Sequence, residues 1–247
     1  MSGESSRIRR VAALDLVYEP RPWRFAEERA DDILAHWHKR KATQPSLFDG
    51  RLLLMGRHEF VARDDGATIL RGAYFETDFK AFLAWRDFGF PDATVCNGFS
   101  MAALQSSDGA YLLGEMAAHT SNAGAIYFAA GTPDRNDVFG ERVDLQASVL
   151  REMQEETGLA PDEAALSDGW IVVDAPPRIA CMKRVRVNAN AEAIKARIEA
   201  YLARDPHAEL ARMHIARSPA DFDEKRMPRF IVDFLRYSFG EPHISVG

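Results

Sequence analysis

The sequence predicts a mixed α/β (α+β) fold on three observations. Strand-sized apolar runs alternate with longer amphipathic segments, turn residues separate them, and 47% of the 247 residues are hydrophobic, enough for a sizeable core. The length suits one large or two small domains. The 31 Lys and Arg against 37 Asp and Glu leave a net charge of −6, which argues against long-range attraction to nucleic acid or to an anionic membrane. Cys96 and Cys181 are the only cysteines, too few and too far apart for a disulfide framework, a zinc ribbon or an iron–sulfur site, so a reducing cytoplasm is expected. Residues 1–10 are polar and basic with no apolar run behind them, unlike a secretory signal, and no stretch approaches the roughly 18 apolar residues of a membrane helix.

A short strand over 11–17 is ended by Pro20 and Pro22. A helix is expected over 23–41, with Phe25, Ile33, Leu34 and Trp37 apolar and with His38, Lys39, Arg40 and Lys41 at its C-terminal end, where the dipole favours cations. Residues 51–62 and 67–75 read as a hairpin around Asp64-Asp65-Gly66, followed by a helix over 78–87. Gly89, Pro91 and Asp92 mark a linker that divides the chain into an N-terminal α+β extension, 1–92, and a second domain, 93–247. There, 98–105 and 111–116 form a hairpin around Asp108-Gly109, and 125–130 is an apolar strand. A loop rich in Gly, Pro, Asp and Asn leads to a helix over 144–157, with Asp144 suited to its N-cap and Gly158 to its left-handed C′ position. Strands over 170–174 and 179–187, a helix over 191–202, a short strand over 213–215 and a helix over 228–237 complete the chain.

The chemistry concentrates in Arg151-Glu152-Met153-Gln154-Glu155-Glu156-Thr157-Gly158-Leu159. At about 100° per residue, Glu152, Glu155 and Glu156 share an arc of about 100° beside the apolar stripe of Val149, Leu150 and Met153. Three carboxylates near the negative end of a helix dipole repel one another, and Arg151 alone does not balance them. A divalent cation would, and an all-oxygen donor set suits Mg²⁺ or Mn²⁺ better than zinc. A bare Glu-Glu pair on a helix is most often a solvated face, but the full pattern arises by chance in a chain of this length with a probability on the order of 10⁻⁵.

This run resembles the second half of the Nudix box, Gly-x5-Glu-x7-Arg-Glu-U-x-Glu-Glu-x-Gly-U with U apolar, and matches it at every specified position. The resemblance implies a Nudix α/β/α sandwich around a mixed sheet, with Glu152, Glu155 and Glu156 as metal-binding carboxylates and with Arg151 and Gly158 as supporting positions of the motif. The first half departs from the pattern: in strict register the early glutamate falls on Val143 and the first glycine on Asp137. The strand-ending glycine is then Gly131, six residues earlier than the box allows, the intervening loop is enlarged, and Glu141 or Asp144 substitutes for the missing glutamate.

In this superfamily the general base is often a carboxylate on a late loop or one of the box glutamates. Glu155 and Glu156 are therefore catalytic candidates, and Glu209 is the candidate outside the box, with Asp221, Asp223 and Glu224 as competitors. His36-x-His38 is not a shared metal site, because residues two apart on a helix point to different sides. Arg7, Arg9 and Arg10 read as a solvated run, and alternate members of Arg178, Lys183, Arg184 and Arg186 are placed to face a substrate cleft. In the extension, Trp37, the run Pro45-Ser46-Leu47-Phe48-Asp49-Gly50 and the run Thr77-Asp78-Phe79-Lys80-Ala81-Phe82 are loosely similar to the animal Nudix UDP-glucose pyrophosphatases. That likeness implies a nucleotide sugar, cleaved to a nucleoside monophosphate and a sugar 1-phosphate. ADP-ribose or a dinucleotide is the enzymatic alternative, and a Nudix-fold nucleotide sensor without turnover is the rival from another class. The partner expected is a small-molecule nucleoside diphosphate derivative, with no nucleic acid or membrane, and the superfamily suggests a homodimer.

Overall fold

Alternating side chains build two mixed sheets, and the acidic helix lies against the larger one. The computed structural model describes residues 7–241. In chain order the elements are β1 (Arg7–Val11), β2 (Ala13–Tyr18), α1 (Arg24–Glu28), α2 (Ala30–Thr43), β3 (Arg51–Ala62), β4 (Thr68–Asp78), α3 (Phe79–Asp87), β5 (Asn97–Gln105), β6 (Tyr111–Met116), β7 (Ile126–Tyr127) and β8 (Ala130–Gly131). They continue with β9 (Val138–Phe139), β10 (Arg142–Val143), α4 (Leu145–Thr157), β11 (Ala164–Leu166), β12 (Trp170–Ala175), β13 (Arg178–Val187), α5 (Ala191–Leu202), β14 (Leu210–Ala216) and α6 (Arg229–Ser238).

The larger sheet runs β1-β12-β13-β5-β6-β14, with β11, β7 and β8 attached to β13, β6 and β5. Its central pair, β13 and β5, is parallel. The smaller sheet runs β3-β4-β2-β10-β9. Along β5 the pleat sends Phe99, Met101 and Ala103 into a core shared with Phe234 of α6. It sends Ala102 and Leu104 into the opposite core with Val149 and Met153 of α4 and Ile194 and Ile198 of α5. Helices thus cover both faces of the large sheet, as the predicted sandwich requires. A third core packs Trp23, Phe25 and Ile33 against Leu54, Phe75 and Trp85.

Several elements differ from the expectation. Residues 7–10 belong to β1, which pairs antiparallel with β12; Arg7 and Arg10 are exposed, as a solvated run requires, whereas Ile8 is fully buried and Arg9 is half-buried over the Phe60 ring, 4.4 Å from its centroid. The remainder of that basic stretch, residues 1–6, lies outside the described residues. The helix over 23–41 breaks at Arg29 into α1 and α2. Phe25 of α1 and Ile33 of α2 both reach the third core. The apolar strand over 125–130 is two short strands, β7 and β8, and the loop before α4 contains the small β9–β10 hairpin, whose Arg142 pairs with Val17 of β2. The larger sheet therefore takes its β1 edge from the first 92 residues, and the smaller sheet takes β9 and β10 from the rest. Among the described residues no helix is long and apolar enough to cross a membrane.

Candidate active site on the acidic helix

The start and end of α4 are set by its own sequence. The Asp144 carboxylate accepts hydrogen bonds from the backbone N–H groups of Gln146 (2.9 Å) and Ala147 (3.0 Å), satisfying donors that a helix start leaves open. At the other end Gly158 takes a left-handed conformation, φ 68°, while Tyr201 packs where a Cβ would stand. Val149 and Met153 are buried beneath the helix, which fixes its rotation and turns Glu152 and Glu156 toward β8.

Both carboxylates rest on β8. Glu156 is 6% exposed; its Oε1 accepts the Ala130 N–H at 3.2 Å, and its Oε2 is buried without a hydrogen-bond partner. A Cβ on Gly131 would fall 2.1 Å from Glu152 Oε1, so the carboxylate occupies space that exists because residue 131 has no side chain. Burial pushes the Glu152 carboxyl up to about 7, with Glu155 and Glu209 adding to the shift and Arg151 opposing it. Burial raises Glu156 well above the carboxylate range, reinforced by Glu152 and Glu209. Glu155, next along the helix, has a side chain 60% exposed.

Arg151 ties this group together. Its Nη1 donates to Glu152 Oε1 at 2.7 Å and lies 3.5 Å from Glu155, while its Nη2 donates to both oxygens of Asp137 at 3.1 and 3.2 Å. Burial works against the guanidinium charge, but Glu152 and Asp137 outweigh it and hold the arginine charged. Asp137 is 1% exposed and also accepts the Asp134 N–H at 3.0 Å. The acid that accompanies Arg151 is therefore Asp137, and neither Glu141 nor Asp144 takes that part. Asp144 is committed to the cap, and Glu141 is an exposed turn residue whose carbonyl accepts the Tyr18 N–H. The sequence register marked Asp137 only as the occupant of a glycine position. The available signal was the Asp134-x-x-Asp137 spacing of a capping box, which the turn at Arg135–Asp137 forms.

Val143 belongs to the core, 6% exposed, between α4 and β2. Val143→Glu should accordingly lower stability by about 3 kcal/mol or more, since it buries an unpaired carboxylate, and bring no gain in turnover, as urea denaturation and a rate assay on one preparation would show. A more active variant would overturn the assignment of Asp137 as the partner that orients Arg151.

Among the base candidates outside the box, Glu209 is the one whose charge reaches Glu152 and Glu156. Its carbonyl accepts the Ala117 N–H at 2.8 Å, pinning the start of β14 to the end of β6. The competitors are engaged elsewhere: Asp221 caps the Arg217 and Ser218 amides, Asp223 pairs with Arg226, and Glu224 pairs with Arg236. His36 binds Asp87 at 2.9 Å while His38 is exposed, so they share nothing. Of the β13 bases, Arg178 lines a cleft with Ala130 and Gly131, whereas Lys183 lies over Trp170 and donates to the Gly169 carbonyl.

The donor set fits a hard divalent cation in kind, being carboxylate oxygen only with one buried oxygen unpaired. Among the described residues no group of three or more His, Cys, Asp or Glu side chains is already arranged to hold a metal ion, and Arg151 bridges Glu152 and Glu155 instead.

No family model and no curated protein sequence matches the chain, so the likeness to UDP-glucose pyrophosphatases gains no sequence relative. Solved structures similar to it include a Nudix hydrolase from M. smegmatis, RenU, at 10% identity and a TM-score of 0.38, covering 57% of this chain and 81% of that one. Another is DR0079 from Deinococcus radiodurans, at 12% identity and a TM-score of 0.42, covering 57% of this chain and 82% of that one. These are likenesses of shape over somewhat more than half of the chain.

Proposed function

We propose that this chain is a Nudix-type pyrophosphohydrolase that uses Mg²⁺ or Mn²⁺ and cleaves a nucleoside diphosphate linked to another moiety. Its substrate in this reading is a nucleotide sugar such as UDP-glucose, cleaved to UMP and a sugar 1-phosphate. The observation that carries the reading is the pair Glu152 and Glu156 held against β8, with Glu156 buried and one of its oxygens orphaned, and with half-buried Glu152 linked through Arg151 to Asp137. A carboxylate buried with an orphaned oxygen, as Glu156 is, is costly, and such strain concentrates where function needs it.

Glu152, Glu155 and Glu156 would hold the cation. Bound there, it would supply charge to neutralise phosphate oxygens and would lower the pKa of the attacking water. Arg151, fixed by Asp137, keeps Glu152 and Glu155 oriented. Glu209 accepts the proton of the water whose oxygen adds to phosphorus, and the P–O bond to the leaving phosphate breaks.

The test is incubation with Mg²⁺ and UDP-glucose, UDP-galactose, ADP-glucose, ADP-ribose and diadenosine polyphosphates, with products resolved by phosphorus NMR and Glu155→Gln as the control. Expected are UMP and sugar 1-phosphate from a UDP-sugar, lost in the control, and a rise in Tm when Mg²⁺ is added to the metal-free protein. Ligand binding without product, with Mn²⁺ also supplied, would establish a sensor instead.

A further inference from the structure

The cleft beside β8 has a volume of about 530 Å³, and the charged side chains lining it are Arg86, Arg178 and Arg229, with no Asp or Glu. Arg86 comes from α3 and Arg178 from the first position of β13, so two distant parts of the chain converge on it. Arg229 is paired with Asp233 at 2.8 Å. Arg86 donates to Asp87 at 3.1 Å, but that one carboxylate also takes His36 and Arg40. Arg178 has no ion pair or hydrogen bond to an acid among the described residues; its guanidinium lies 4.9 Å from the centroid of the Phe90 ring.

We propose that Arg86 and Arg178 form an oxyanion subsite that takes a carboxylate or phosphate carried by the moiety attached to the cleaved diphosphate. A guanidinium held in a half-buried cleft without a counter-charge is poorly solvated, and a bound oxyanion supplies charge-assisted, bidentate hydrogen bonds. Burial and the neighbouring Arg86 both work against the charge of Arg178, so an anion there relieves desolvation and repulsion together. Phe82, Phe99 and Phe230 supply apolar wall in the same cleft, suited to the body of the group that carries the anion.

The substrate-class part of this inference rests on the hydrolase reading, whereas the anion site does not. The first arm titrates inorganic phosphate into the full chain in EDTA by calorimetry, for wild type, Arg178→Gln and Arg178→Lys. Arg178→Gln is expected to weaken binding about tenfold, with Arg178→Lys in between, and Arg86→Gln carries the same arm should the first variant not fold. Phosphate affinity unchanged in a folded Arg178→Gln or Arg86→Gln overturns the subsite.

The second arm compares turnover within two matched pairs, UDP-glucuronic acid against UDP-glucose and ADP-ribose 1″-phosphate against ADP-ribose, in which the added anion sits on the linked sugar. Each pair differs by one anionic group, a carboxylate in the first and a phosphate in the second. A preference of about tenfold in kcat/KM for the more anionic member of one pair, lost in Arg178→Gln, supports the subsite and identifies the group. Turnover with no preference in either pair overturns it and leaves the hydrolase reading standing. No turnover of any of the four, with phosphate binding still dependent on Arg178, supports the anion site and overturns the hydrolase reading for these substrates.

Discussion

Glu152→Gln is expected to abolish most turnover, by about 10²-fold or more, while stabilising the metal-free protein at neutral pH. The two effects have one origin. In the fold the Glu152 carboxyl is raised from 4.5 to about 7 by burial, so the folded chain binds this proton more tightly than the unfolded one. The stability that the protonated group contributes is complete below about pH 4.5 and is lost as pH rises through about 7. In EDTA the wild type should therefore lose stability across this window, by on the order of 3 kcal/mol at most from this group. The glutamine variant should show a flatter dependence and a higher urea midpoint at pH 7.5. An unchanged pH slope would sink the account of Glu152 as an acid whose desolvation outweighs its pairing with Arg151, and unchanged turnover would remove it from the metal-binding set.

Gly131→Ala should separate activity from stability in a different way. The added methyl would lie 2.1 Å from Glu152 Oε1 and 2.5 Å from its Cδ, too close for contact, so the carboxylate must move. The end of a glutamate side chain moves at little cost in stability, and the expected change is under about 1 kcal/mol. Displacing a reacting or ligating group by an ångström costs about 10²-fold in rate, so kcat should fall by about that factor with the Tm nearly unchanged. A variant that loses stability and activity in parallel would show that residue 131 serves packing alone.

Much of the scaffold was legible because it is locally encoded. The α4 helix carries its start in Asp144, its stop in Gly158 and its buried stripe in Val149 and Met153, and helical spacing alone places three glutamates along one arc. The β3–β4 hairpin is written in its turn, and Gly131 was recognisable as the glycine that ends a strand. Short-range pattern failed where pairing or packing came from afar. The strand β1 exists because β12 offers it an edge, and β10, with its hairpin partner β9, because β2 is available to pair with Arg142. Neither β12 nor β2 lies near in sequence to the strand it pairs with.

The candidate site divides along the same line. The sequence by itself determined the chemistry on offer: oxygen donors on a capped helix, an arginine beside them and a late carboxylate at Glu209. Only the tertiary structure decided which acid meets Arg151, because Asp137 is brought against it by the turn at Arg135–Asp137 and buried there. It likewise decided that Glu156 loses its water against β8, and that Arg86 of α3 and Arg178 of β13 face one cleft. Desolvation and charge pairing depend on distances between residues remote in the chain, and those distances exist only once the sheets have formed.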